Sequence, residues 1–204
     1  MIFIEIMGLI GTGAFAVSGV LVGMKNKLDL FGLFVLAVIT ASGGGLIRDV
    51  IISDDMPVFF TNPQYLITIV IAMIITCLTV KYINRMLYII KFFDAVGLGV
   101  FTIIATYRCM LLNMPFIGVM FIACLTGIGG GIVRDILVND VPLVFKSEIY
   151  ALASMIGAMV FYFLYNIVEP SLNVYICVFI VFIIRMAAVH YNIKLPVINV
   201  KDEK

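Results

Sequence analysis

Seven apolar runs, each near the length that crosses a bilayer, constrain this chain more than any other feature. A helix needs about 20 predominantly apolar residues to span a hydrocarbon core about 30 Å thick. Cutting the sequence at its polar clusters leaves such runs at residues 2–22, 31–52, 64–83, 87–106, 115–138, 148–168 and 172–189. Hydrophobic residues make up 64% of the chain and charged residues 12%, against roughly a quarter charged in soluble domains, so a water-soluble globular fold is excluded. The sequence predicts an all-α membrane protein, a single transmembrane domain over residues 1–204. A net charge of +1 leaves no basic surface for nucleic acid. Cys77, Cys109, Cys124 and Cys177 show no CxxC pairing and read as small hydrophobic residues.

The opening Met-Ile-Phe-Ile-Glu lacks the basic region and cleavage site of a signal peptide, so the first run is expected to be retained. Asn62 before Pro63, and Ser147 before the sixth run, read as helix caps. Tyr65, Tyr82, Tyr107, Tyr150, Tyr175 and Tyr191 fall near run ends, where an interfacial aromatic belt accounts for them. With alternating spans, Lys25, Lys27, Lys81, Arg85, Lys146, Lys194, Lys201 and Lys204 share one side, and the opposite loops offer little beyond Arg108. The positive-inside rule then puts the N-terminus outside and the C-terminus in the cytoplasm.

An internal repeat organises the chain. Residues 43–55, GGGLIRDVIISDD, lie over residues 129–141, GGGIVRDILVNDV, at an offset of 86, with six identities and six conservative changes in thirteen positions. The offset extends upstream through Gly11 and Gly97, Phe15 and Phe101, and Thr40 and Thr126; one deletion later Pro57 meets Pro142 and Tyr65 meets Tyr150. Repeat one covers about 1–86, repeat two about 87–169, and the seventh span, about 172–190, stands outside both. Each repeat holds three spans, and an odd number sends the second copy into the membrane upside down. Such inverted pairs bring their interrupted helices together near the midplane, where permeating species bind. Arg185 and His190 of the seventh span are placed within snorkelling reach of water.

Consecutive glycines inside an apolar span are each about 1 kcal/mol worse than Ala in a helix, and two explanations are open for Gly43, Gly44, Gly45, Gly129, Gly130 and Gly131. Glycines let helix backbones approach, as in the small-xxx-small pair Gly19 and Gly23. They also kink or unwind helices, here spans two and five, freeing carbonyls for a cation. Arg48 with Asp49, and Arg134 with Asp135, follow the triplets, and charges at that depth mark a functional site by default. Adjacent helical residues point about 100° apart, so each charge is expected to find its partner elsewhere, one pair in each of two vestibules. Asp94, in FDAVGLGVF, stands where repeat one has Gly8; it either draws cations to a pore mouth or pairs with Lys91 one turn before it. Thr40 and Thr126, a turn before the glycines, either offer hydroxyls to an ion or bond back to their own helices. Asp54, Asp55, Asp140 and Glu5 read as solvated or interfacial charges.

The paired GGGxxRD motifs, the FDAVGLGVF segment and the 3+3+1 layout resemble the prokaryotic branch of the TRIC family, the trimeric intracellular cation channels, over about residues 2–190. The resemblance implies a homotrimer with one pore per subunit, bounded largely by kinked spans two and five with spans one and four, and passing monovalent cations such as K⁺ and Na⁺. It makes the six glycines the kinks, and Arg48, Asp49, Arg134, Asp135 and Asp94 the family's motif charges. It further implies membrane lipids as neighbours, no cofactor, and the plasma membrane of a bacterium or archaeon. The KEV tripeptide of animal members is absent. Bacterial relatives are also described as glycine-transporter-like, so a secondary transporter of a small solute such as glycine stands as the alternative to a passive channel. An intramembrane enzyme is disfavoured, because His190 is the sole histidine and no HExxH or Ser–His pattern occurs.

Overall fold

The computed structural model describes residues 2–53, 55–82, 85–146 and 149–193. In chain order it contains α1 (Ile2–Lys25), α2 (Leu30–Ile52), a short α3 (Val58–Thr61), α4 (Gln64–Thr79), α5 (Met86–Leu111), α6 (Phe116–Leu137), α7 (Ala151–Leu164) and α8 (Pro170–His190). Each of the seven apolar runs holds one of these helices, with α3 an addition between the second and third. Among the described residues α1, α2, α5, α6 and α8 are long and apolar enough to cross a membrane, whereas α4 and α7 have 16 and 14 residues. The protein is a multi-pass, all-helical membrane protein. Asp54, the Ser147 cap, and Lys194, Lys201 and Lys204 lie outside the described residues.

Local chemistry sets where the helices begin and end. Asp29 caps α2 by accepting from the Gly32 N–H at 2.7 Å, and Asn62 Oδ1 accepts from Gln64 N–H at the start of α4. Glu169 caps α8, with Pro170 in its first turn, a position where a missing N–H costs nothing. Four helices stop in the same way. Lys27, Asn113, Asn139 and Asn192 have φ between 51° and 57° just past α1, α5, α6 and α8, and the next N–H in each case returns to a carbonyl five residues earlier, as in Met114 to Cys109 and Asp140 to Asp135. Asparagine is the side chain after glycine that best tolerates this left-handed stop.

The centre of the protein is the crossing of α2 and α6. Both run as unbroken α-helices through their glycine triplets, and no glycine has a positive φ among the described residues. The unwinding expected as one explanation of the triplets is therefore not what they do here; close approach is. The Thr126 carbonyl oxygen lies 2.0 Å from where a Cβ on Gly44 would sit, and the Thr40 carbonyl oxygen lies 2.1 Å from the same point on Gly130. The contact is reciprocal, each half offering the same glycine and the same carbonyl to the other. A second reciprocal pair sits beside it, Phe15 of α1 stacked on Phe101 of α5 with ring centroids 5.4 Å apart. Gly19 and Gly23 of α1 serve close approach too, facing Leu36 and Leu33 of α2. On the outside, α4 turns Ile67, Ile71, Ile74, Ile75 and Leu78 outward, each more than half exposed, a face that calls for lipid or protein cover.

The geometry separates the glycines within a triplet. A methyl at Gly44 or Gly130 meets a backbone carbonyl that cannot rotate away, whereas one at Gly43 or Gly45 finds its nearest atoms at 3.4 Å and 3.8 Å. Gly44→Ala and Gly130→Ala are each expected to destabilise the protein by about 3 kcal/mol, at the upper end of overpacking costs, while Gly43→Ala and Gly45→Ala stay within about 1 kcal/mol of the parent. Thermal unfolding of the purified variants followed by size-exclusion chromatography measures the difference; equal melting of all four would refute the backbone contact.

Candidate functional site

The charges that follow each triplet form two clusters, at opposite ends of α1. The first gathers where α1 begins and α2 ends. Arg48 folds back on its neighbour, its Nε and Nη2 lying 2.8 and 2.7 Å from Asp49 Oδ1. The same oxygen receives Arg108 Nη1 from the end of α5 at 2.9 Å, and Asp49 Oδ2 accepts the Val58 N–H at 3.1 Å. The second cluster gathers where α6 ends and α5 begins. Arg134 places Nε and Nη2 at 2.8 Å from Asp135 Oδ1, and Asp135 Oδ2 accepts the Leu143 N–H at 3.1 Å. Arg134 Nη1 adds two partners, Asp94 Oδ1 at 2.7 Å and Ser18 Oγ at 2.8 Å.

The expectation that Arg and Asp next to each other cannot neutralise one another is thus corrected. Their Cα–Cβ directions do diverge, but the guanidinium sits on a long flexible stem that curls back across a single residue. The partners from elsewhere exist as well, so each aspartate becomes a hub. One oxygen holds guanidinium groups; the other ties down the N–H that follows Pro57 or Pro142, at the start of the short turn leading to α4 or α7. Arg48, Asp49, Arg134, Asp135 and Asp94 are all buried.

Asp94 pairs with Arg134 and is 0% exposed, so it is not an open lure for cations at a mouth. Thr40 and Thr126 donate to Leu36 O at 2.6 Å and Ile122 O at 2.7 Å, the back-bonding alternative. Arg185 is also 0% exposed and does not snorkel; its guanidinium lies over the Tyr150 ring, 4.8 Å from the centroid. Tyr150, 1% exposed, is correspondingly no interfacial belt residue, and Tyr65 lines a cavity beside Arg48. Ser18 carries no sequence signal as a site residue; Arg108 reads there only as a loop charge and Tyr65 and Tyr150 only as belt residues, although the two tyrosines match each other across the repeat.

Each cluster adjoins a cavity. That at the Arg48 end, about 40 Å³, is walled by Gly8, Thr12, Gly45, Tyr65 and Phe101 with Arg48 and Arg108. That at the Arg134 end, about 100 Å³, is walled by Val22, Lys25, Lys91, Arg134, Asp140 and Lys146 among others. The two share no lining residue. Between Thr12 and Ser18 on α1, about 9 Å at helical rise, lies the crossing.

The family model described as "Glycine transporter" matches this chain twice, over residues 5–81 and 91–166. The UPF0126 inner membrane protein YadS of Escherichia coli K12 is 34% identical over 195 residues, 93% of each chain, and the UPF0126 membrane protein YvgT of Bacillus subtilis is 33% identical over 94% of this chain and 95% of its own. A crystal structure of a prokaryotic TRIC channel in 0.5 M KCl superposes with a TM-score of 0.90 at 32% identity, covering 95% of this chain and 99% of that one. The chain belongs to the prokaryotic TRIC family. The TRIC orthologue from Rhodobacter sphaeroides shares the fold, with a TM-score of 0.89 at 24% identity over 95% of this chain and all of that one. Each matched segment of this TRIC family chain contains one glycine triplet and one Arg–Asp hub, and α8 lies outside both.

The clusters differ in how much depends on each arginine. Arg134→Gln strands the buried Asp94, and removing one member of a buried pair costs about 3–5 kcal/mol. The Arg108 side chain is 32% exposed, and Arg108→Gln leaves Asp49 with Arg48, so about 1 kcal/mol or less is expected. Comparing the two melting temperatures in one detergent tests the ranking; a larger loss in the Arg108 variant contradicts it.

Proposed function

We propose that the protein is a passive, K⁺-permeable monovalent cation channel of a bacterial or archaeal plasma membrane, acting as a homotrimer with one pore in each subunit. The observation that carries this reading is the likeness, at 32% identity and a TM-score of 0.90, to a prokaryotic TRIC channel. The proposed pore runs along α1 between the two cavities, past the crossing of α2 and α6. In this proposal the halves, about residues 1–86 and 87–169, are inverted copies related by a pseudo-two-fold axis through Gly44 and Gly130, and the seventh helix is an addition. Reciprocal contacts of the kind made by these glycines, and by Phe15 with Phe101, are the mark of a two-fold relation. The triplets act as bends in continuous helices, and Thr40 and Thr126 stand at the narrowest point. Conduction then requires the Arg134–Asp94–Ser18 contact to part. Lys25, Lys27, Lys81, Arg85 and Lys146 lie at the Arg134 end, which supports placing that end in the cytoplasm and the N-terminus outside.

A second reading, a secondary transporter of a small solute such as glycine, is favoured by two cavities that share no wall residue and by the description of the matching family model. Planar-bilayer recording beside labelled glycine uptake into vesicles separates them. The channel reading expects unitary currents reversing at the K⁺ equilibrium potential, and Asp94→Asn is expected to raise open probability several-fold by weakening the Arg134 contact. Saturable, gradient-driven glycine accumulation without unitary currents would overturn it.

A further inference from the structure

The two Arg–Asp hubs are built alike, but their arginines are not equally satisfied. Arg134 Nη1 has two acceptors, Asp94 Oδ1 and Ser18 Oγ. At the offset of 86, Asp94 matches Gly8 and Ser18 matches Ile104, so neither residue at the corresponding places around Arg48 carries a side-chain acceptor. No described residue supplies Arg48 Nη1 with one. Both Gly8 and Ile104 wall the cavity at the Arg48 end, so the space there lies where the second half keeps its own Asp94 carboxylate.

The charges lean the same way. Arg108, which brings a second guanidinium to Asp49, stands where the other half has Val22. Asp49 is fully used, one oxygen taken by both arginines and the other by Val58 N–H. Two guanidinium groups on one carboxylate leave an excess charge of +1 beside a largely apolar wall. Glu5 stands farther out, lining the wider vestibule of about 340 Å³ beyond the cavity, and its Oε1 accepts from Asn62 Nδ2 at 2.9 Å.

Thr12 supplies an independent sign. Thr40, Thr76, Thr106 and Thr126, all buried in helices, donate to the carbonyl four residues back. Thr12 and Thr102 make no such bond, and their Oγ1 atoms have no partner among the described residues; of the two, Thr12, 1% exposed, walls the cavity. A buried hydroxyl left unpaired is costly, and Thr12 belongs to a wall that Arg48 and Arg108 share, where a bound anion would accept from it. Tyr65 brings a phenol oxygen to the same space, 2.7 Å from where a Cβ on Gly8 would sit.

We infer that the cavity bounded by Gly8, Thr12, Arg48, Tyr65 and Arg108 is a binding site for a small carboxylate, which does for Arg48 what the built-in Asp94 carboxylate does for Arg134. A planar carboxylate meets guanidinium donors in pairs, as a spherical halide does not. The cavity, about 40 Å³, exceeds the roughly 10–15 Å³ that one water requires and suits a group of a few heavy atoms. The inference depends on neither transport reading, because it concerns occupancy of one end of the protein and not what crosses it.

Equilibrium dialysis of labelled acetate against the full-length protein in nanodiscs, at constant ionic strength, tests it. Acetate is expected to bind saturably with one site per chain, and chloride at the same concentration to displace it at least about tenfold less well than unlabelled acetate. Arg108→Gln should weaken binding about tenfold and Thr12→Val about threefold, from the loss of a charged and a neutral hydrogen bond. Gly8→Asp, which supplies the carboxylate from the chain itself, should abolish binding. Should Gly8→Asp not fold because of Tyr65, the Arg108 and Thr12 variants decide. Absence of saturable acetate binding, equal displacement by chloride, or unchanged affinity in both of those variants would overturn the proposal.

Discussion

The rest of the structure depends on the backbone contact of α2 with α6 at Gly44 and Gly130. Inside a bilayer no hydrophobic force draws helices together, since lipid tails are as apolar as leucine, and association relies on close van der Waals fit. Glycine permits the closest fit available, and here the partner's carbonyl oxygen occupies the volume a side chain would need. This resolves the apparent cost of six glycines in two apolar helices. Unwinding the triplets would free carbonyls in the driest part of the protein, where each unsatisfied group costs several kcal/mol. Unbroken helices in direct contact keep every carbonyl occupied and still bring the halves together.

The crossing also fixes where the charges go. Arg48 and Arg134 follow their middle glycines by one helical turn, about 6 Å, and because the helices meet at those glycines the two arginines leave the crossing toward opposite ends of α1. A charge so placed is expensive unless it is fully paired. Each hub pairs its arginine through one oxygen of its aspartate, and the second oxygen does structural work by holding the amide after Pro57 or Pro142. The Arg–Asp doublet therefore belongs to the fold as much as to any pathway, since it closes the turn that sends the chain back into α4 or α7.

Most of the fold was legible in the sequence, because run length and polarity are properties of single segments. All seven apolar runs contain a helix, and two of the pairs that the repeat offset matches, Phe15 with Phe101 and Gly44 with Gly130, are in contact. The helix ends were less legible: α5 continues to Leu111 and stops at Asn113, where an asparagine takes the left-handed conformation that a glycine would have announced more clearly. The site was legible in its members but not in its bonds. Whether Arg48 reaches back to Asp49 depends on the reach of a flexible stem, and whether Asp94 meets Lys91 or Arg134 depends on which helix packs against α5. Arg185 is a further case: its place near the end of the seventh span suggested snorkelling, but α8 turns it onto Tyr150, the residue before α7. Periodicity assigns a residue to a face and says nothing of what covers that face.

Where the repeat is most faithful it defines the scaffold, and where it lapses it defines the difference between the two ends. The glycines, the threonine carbonyls, the arginines, the aspartates and the prolines are kept in both halves. Three positions near the arginines are not: Gly8 against Asp94, Ile104 against Ser18, and Arg108 against Val22. Each of these lapses removes an acceptor or adds a positive charge at the Arg48 end, or does the converse at the Arg134 end. Counting the ion-paired groups alone, Arg48 and Arg108 with Asp49 sum to +1, and Arg134 with Asp94 and Asp135 sum to −1. Charges in a poorly screened interior act over longer distances than in water, so the two buried ion-paired groups differ in sign in a way that a symmetric scaffold alone would not create. The repeat supplies the frame, and a handful of unmatched side chains make its two ends different.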